Sequence, residues 1–178
     1  MRRLGTTRQR MNSDPRVEQA SGTAHEILSV DLCAMTAKVW DASLQEAFSA
    51  KSLSFTITRA RYNLFFCNEQ LLGESVETLL KIAQTMATIG TNVTAFIWED
   101  QEMCLLYILF QCTPIPRRLV LNFFEPFTFN DYNSIEELGT AIPLAAQAVR
   151  SIGGSVDFRA TATGGLICLA MPSCSAEP

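Results

Sequence analysis

The chain has 178 residues, of which 48% are hydrophobic and only 18% charged, with a formal net charge of −4. Such a composition suits one domain with a substantial core and excludes a wholly disordered chain. The acidic balance speaks against a nucleic-acid binder, which presents a basic face, and no apolar run approaches the ~20 residues of a membrane helix.

Residues 1–26 are polar and irregular, with Asp14-Pro15 and Ser21-Gly22 as breakers, and read as a flexible lead-in. The opening MRRLGTTRQRM is basic but has no apolar stretch after it, so it is not a secretory signal. Six cysteines (Cys33, Cys67, Cys104, Cys112, Cys168 and Cys174) form no C-x-x-C pair, and there is one histidine; the spacings match no metal template. Most lie in apolar stretches such as CLLYILF and LICLAM, where a thiol packs as a small hydrophobe. A reduced, cytoplasmic protein without a metal is expected.

From Asp31, Leu32, Met35, Val39, Trp40, Leu44, Ala47 and Phe48 recur at helical steps and predict an amphipathic helix. SLSFTIT (52–58) alternates as a strand, and Tyr62 to Cys67 is a short second one. A helix opening at Gly73-Glu74-Ser75 carries the stripe Val76, Leu79, Leu80, Ala83 and Met86 or Ala87, and stops by Gly90. Val93 to Trp98 and Cys104 to Phe110 form a hairpin; the second strand is apolar almost throughout, which predicts burial on both faces in mid-sheet. A double-proline loop (113–116) follows, with Arg117-Arg118 as a compact basic spot, then the aromatic-rich 122–127. The last helix turns Ala141, Ile142, Ala145, Ala146 and Val149 inward, and Gly153-Gly154 ends it. Ser155 to Phe158 and Leu166 to Met171 are the final strands, with Gly164-Gly165 in the turn between them. The fold expected is α+β: a two-layer sandwich of about three helices on one face of a mixed, largely antiparallel sheet of about five or six strands. It spans 27–172, followed by a loose tail at 173–178.

Several pieces carry a resemblance. Ile115-Pro116 is followed at a fixed step by Phe124-Glu125-Pro126-Phe127, then by Gly139-Thr140-Ala141-Ile142 and Gly153-Gly154-Ser155-Val156, with Val30-Asp31-Leu32 upstream. In order and spacing this resembles the catalytic ATP-binding domain of sensor histidine kinases, of the GHKL superfamily with the Bergerat fold, from about Val30 to Pro172. The resemblance implies a nucleotide pocket built from a magnesium-coordinating asparagine, an adenine-binding aspartate and glycines that let backbone approach the phosphates. Here the asparagine falls on Met86 and the earlier asparagine of that helix on Ile82. The aspartate falls on Phe110 and its two glycines on Cys112 and Pro114. In the later glycine-rich box only Gly139 persists, with Ile135 and Glu137 at the other glycine positions.

These replacements act together. Met86 offers a thioether where magnesium wants oxygen. Phe110 cannot accept the adenine hydrogen bond, Pro114 has no N–H and a fixed φ, and Glu137 adds negative charge where phosphate is expected. The sequence therefore predicts a pseudo-ATPase domain that binds no cofactor. It would act as a regulatory or scaffold protein of two-component-type phosphosignalling, through a response regulator, a histidine kinase or a second copy of itself. The alternative is a diverged GHKL kinase or histidine-phosphotransferase-like protein that still binds ATP and magnesium, using residues such as Asn68, Asn122, Asn130 and Asp131. His25-Glu26 resembles the start of a phospho-acceptor box, but where the family continues with a basic residue and a proline, Leu28-Ser29-Val30 follows here, and a surface or linker histidine is the preferred reading.

Overall fold

The structure, a computed structural model, describes residues 27–60, 65–99, 103–126 and 139–172. Strand β1 (Ile27–Val30) leads into helix α1 (Leu32–Val39), a π-helical turn (Trp40–Leu44) and α2 (Gln45–Ala50). The wide turn inserts an extra residue, so Leu44 and Phe48 regain the face held by Leu32 and Met35, and all four are buried. Trp40 stacks on Phe55 at 4.3 Å and meets Phe48 edge-on at 4.6 Å, which closes this helix onto the sheet.

Asp31 explains why Val-Asp-Leu opens the domain. Its Oδ1 accepts from the backbone N–H of Cys33 (2.9 Å) and Ala34 (3.1 Å), and from the Arg59 guanidinium (2.8 Å) at the end of β2 (Ser54–Arg59). One carboxylate thus caps α1 and ties it to the sheet edge. Asp31→Ala is expected to lower stability by about 1–2 kcal/mol. Asp31→Asn, which retains a capping oxygen, should cost less, and a urea titration of the two variants checks the order.

Strand β3 (Phe65–Asn68) pairs antiparallel with β1 as a separate two-stranded sheet, so it does not join the main sheet. Asn68 then caps α3 (Glu69–Met86), accepting from Leu71 N–H at 3.0 Å. This helix begins one turn earlier than Gly73 because the cap, which the apolar stripe does not reveal, lies at Asn68. Its stripe of Val76, Leu79, Leu80, Ile82 and Ala83 is fully buried. At its other end the Lys51 ammonium donates to the carbonyls of Gln84 (3.0 Å) and Thr85 (2.7 Å), and burial lowers the Lys51 pKa.

The main sheet comprises β2, β4 (Asn92–Glu99), β5 (Met103–Gln111), β6 (Ser155–Ala160) and β7 (Gly164–Pro172), in the order β2-β4-β5-β7-β6. Only β2 and β4 are parallel; the crossover between them contains α3. Strand β5 sits in mid-sheet as expected, but it is buried on one face only. Cys104, Leu106, Ile108 and Phe110 face the helices, whereas Leu105, Tyr107 and Leu109 lie on a half-open face. Apolar side chains on both faces had suggested cover on both. Helix α4 (Arg117–Leu121) occupies what reads as a loop, and Arg117-Arg118 form its exposed first turn. Helix α5 (Ala141–Ser151) buries Ile142, Ala145, Ala146 and Val149. After it, Gly153 takes φ +83°, and a Cβ at Gly154 would collide with Met171 and Val149, so both glycines of the turn are required. Gly164 and Gly165 belong to β7 itself, and the β6–β7 turn falls on 161–163.

Candidate functional site

The site implied by the sequence lies where β5 ends and the chain turns through Ile115-Pro116 into α4. The carbonyl of Pro116 accepts from the N–H of Leu119 at 2.9 Å and of Val120 at 3.3 Å, which starts the helix at the proline. Phe123 follows, 2% exposed, with its ring stacked on Phe158 of β6 at 3.7 Å and 14°. Phe124 meets Phe123 edge-on at 5.2 Å. The first aromatic residues of the Phe-Glu-Pro-Phe region therefore anchor α4 and its exit to the sheet. Phe127, Ile135 and Glu137 lie outside the described residues, as do His25, Asn130 and Asp131.

Phe110 is 4% exposed and faces the helical layer. It is the register partner of Gly165 on β7, and a Cβ built on that glycine would lie 2.5 Å from the far end of the phenyl ring. The far end of the ring thus occupies the space that a side chain at Gly165 would need. Next to it, Cys112 is buried and its N–H donates to the Thr163 carbonyl at 3.2 Å, while the Gln111 carbonyl accepts from the N–H of Thr88 at 2.8 Å. The end of β5 is held on both sides by backbone. Pro114 is exposed, and Ile115 packs half-buried on the core. Met86, in the last turn of α3, is half-buried against the core cluster that contains Phe110 and Cys112, and Ile82 is fully buried in it. Gly139, one residue before Thr140 at the start of α5, is buried.

The structure therefore gathers Ile82, Met86, Phe110 and Cys112 at one core. Among the described residues, the two asparagines that could supply polar contacts are used elsewhere. Asn68 is engaged as the cap of α3, and Asn122 donates to the Arg118 carbonyl at 3.2 Å. Among the described residues no cluster of three or more His, Cys, Asp or Glu can hold a metal ion. A groove of about 480 Å³ between α3 and α5 is lined by residues such as Leu71, Thr78, Ala141 and Leu144, not by Met86, Phe110 or Cys112. A second hollow, about 290 Å³, borders Phe110 and Gly165 but is lined mostly from the other face of the sheet, by Asn92, Thr94, Leu109 and Gln111.

Burial pushes the thiols of Cys112 and Cys168 above their ordinary value of 9.0. A raised thiol pKa means that both add stability fully below pH 9.0 and lose it as pH rises towards the folded values. The melting temperature should accordingly fall above about pH 9, and the Cys112→Ser/Cys168→Ser double variant should flatten that fall. The same thiols should react slowly with disulfide reagents at pH 8 until the chain unfolds.

No protein-family model and no curated protein sequence matches the chain. Solved structures do. The catalytic domain of the histidine kinase ThkA superposes with a TM-score of 0.72 at 13% identity, over 83% of this chain and 96% of that one. The mycobacterial sensor histidine kinase MprB gives 0.67 at 22% identity, over 83% and 98%, and AdeS of Acinetobacter baumannii gives 0.69 at 13%, over 84% and 68%. This is the histidine-kinase catalytic-domain fold. In this chain α3 is the helix on which the resemblance puts the metal-binding asparagine, and the end of β5 is where it puts the adenine-binding turn. Sequence reading had missed Gly165, because a Gly-Gly pair reads as a turn; its signal was available only as the absence of a side chain opposite Phe110.

Proposed function

We propose that the chain is a non-catalytic, pseudo-ATPase member of this fold that works by protein–protein contact in two-component-type phosphosignalling, in the cytoplasm, with a response regulator or a histidine kinase as partner. The observation that carries the reading is the Phe110 ring lying over Gly165, at the position where the resemblance puts the adenine-binding carboxylate. A phenyl ring there removes the hydrogen-bond acceptor and occupies space. Buried Ile82 and half-buried Met86 supply no oxygen for magnesium on the adjoining helix. The cytoplasmic placement is supported by the reduced-thiol composition. In addition, no helix among the described residues is long and apolar enough to cross a membrane.

Calorimetric titration with ATP and ADP, with and without magnesium, tests this. The expected result is no heat and no thermal shift at millimolar nucleotide. Magnesium-dependent binding in the micromolar range would overturn the pseudo-ATPase reading in favour of a diverged nucleotide-binding kinase.

A further inference from the structure

The face of the sheet turned away from the helices is apolar in the middle and polar at its margins. On β4 and β5 it carries Phe96, Trp98, Leu105, Tyr107 and Leu109, with Trp98 45% and Leu109 42% exposed. Phe96 stacks with Trp98 and with Tyr107, both at 6.4 Å, making a continuous aromatic strip. One margin is neutral: Ser54 Oγ donates to Asn92 Oδ1 at 2.8 Å, and Asn92 Nδ2 to Thr94 Oγ1 at 2.8 Å. On the β6 margin, Asp157 and Arg159 form an ion pair at 2.9 Å. An aromatic centre inside a polar rim is the anatomy of a protein interface rather than of a solvated sheet.

We infer that this face is a twofold interface between two copies of the chain. Two features select a second copy as the occupant. First, the face is self-complementary in shape. Phe96 pairs in register with Tyr107; two residues further along β4 stands Trp98, the most exposed side chain of the strip, and two residues before it stands Thr94, paired with Leu109. Thr94 and Leu109 line the hollow of about 290 Å³. Knob and hollow are thus equally spaced about the Phe96–Tyr107 rung. A twofold axis lying between two stacked sheets and running along that rung seats the indole of each copy over the hollow of the other. Sheets stacked face to face in this way form a single core about 10 Å thick. Second, the face is compatible with itself in charge. Asp157 and Arg159 neutralise each other, so two such faces meet without net charge even though the chain carries −4 overall.

The area is sufficient. Five strands at about 4.8 Å spacing, averaging roughly 26 Å in length, give a face on the order of 600 Å² in projection before side-chain relief is counted. Two such faces together come to about 1,200 Å², above the roughly 1,000 Å² in total that a specific interface needs.

Sedimentation equilibrium of the full chain at about 100 µM, well above the micromolar end of affinities for interfaces of this size, should return twice the 19.7 kDa chain mass. Trp98→Arg should raise the dissociation constant by about 30-fold or more, as loss of a buried tryptophan anchor does, and Thr94→Glu should do the same from the other side. Because the axis places residue 98 over residue 94 of the partner, a mixture of Trp98→Arg and Thr94→Glu chains should form the heterodimer although neither variant self-associates. Leu121→Arg, at a position 71% exposed on α4, should leave the dimer intact. Circular dichroism melts establish that each variant is folded. A wild-type monomer at 100 µM would overturn the inference and assign the face to another occupant, either residues 1–26 or a different protein. A dimer that survives both single substitutions, or a folded mixture that stays monomeric, would overturn it as well.

Discussion

Phe123→Ala is expected to lower the unfolding free energy by about 3–5 kcal/mol, the range for deleting a fully buried phenylalanine. Phe123 is 2% exposed and stacks at 3.7 Å on Phe158, with Phe124 against its edge. Its removal loses apolar burial and the ring contacts with Phe124 and Phe158, and the cavity it leaves is bounded by β6, which cannot shift without breaking its pairing with β7. A urea titration should show the midpoint fall with little change in slope. Leu121→Ala, two residues earlier but 71% exposed, should change stability by less than about 0.5 kcal/mol. A small effect at Phe123 would mean that the aromatic segment does not anchor the chain to the sheet. The consequence reaches beyond stability. Phe123 fixes the exit of α4, and with it the point from which the chain sets out towards Gly139 and the start of α5.

The second large effect concerns Phe110 and Gly165. Gly165→Ala places a methyl 2.5 Å from the Phe110 ring and should cost about 1–3 kcal/mol through overpacking. Gly165 does not have positive φ, so the penalty comes from the ring and not from the backbone. Phe110→Ala alone should cost about 3–5 kcal/mol. In the double variant the methyl enters space that the ring has left, so the combined loss should be smaller than the sum by about 0.5–3 kcal/mol, the usual coupling between residues in contact. Strict additivity would show that the ring does not lie over the glycine, and the principal support for the pseudo-ATPase reading would go with it.

Periodicity made the helices α3 and α5 legible. Their apolar residues recur at helical steps, and burial of one stripe is decided locally by the 3.6-residue turn. The final strands and the hairpin were equally visible, and so was the two-layer architecture. The likeness to histidine-kinase domains came from the spacing of short motifs, which the shared fold later supported. The elements that escaped were those whose definition depends on a distant partner. Strand β1 is four residues long and exists because β3 pairs with it across intervening α1, α2 and β2. Helix α3 starts early because of a side-chain cap at Asn68, a signal outside the apolar stripe.

By itself the sequence determined the fold class and the positions of the main helices, because local period is a property of the chain alone. Two matters were decided only by the tertiary structure. One is that Phe110 fills its place because the strand beside it supplies Gly165. The other is that β5 hides one row of apolar residues and leaves the other half-open. Both depend on which strand lies next to which and on the number of layers covering the sheet. That is set by non-local pairing, and a run of apolar residues reads the same whether one face or both are covered.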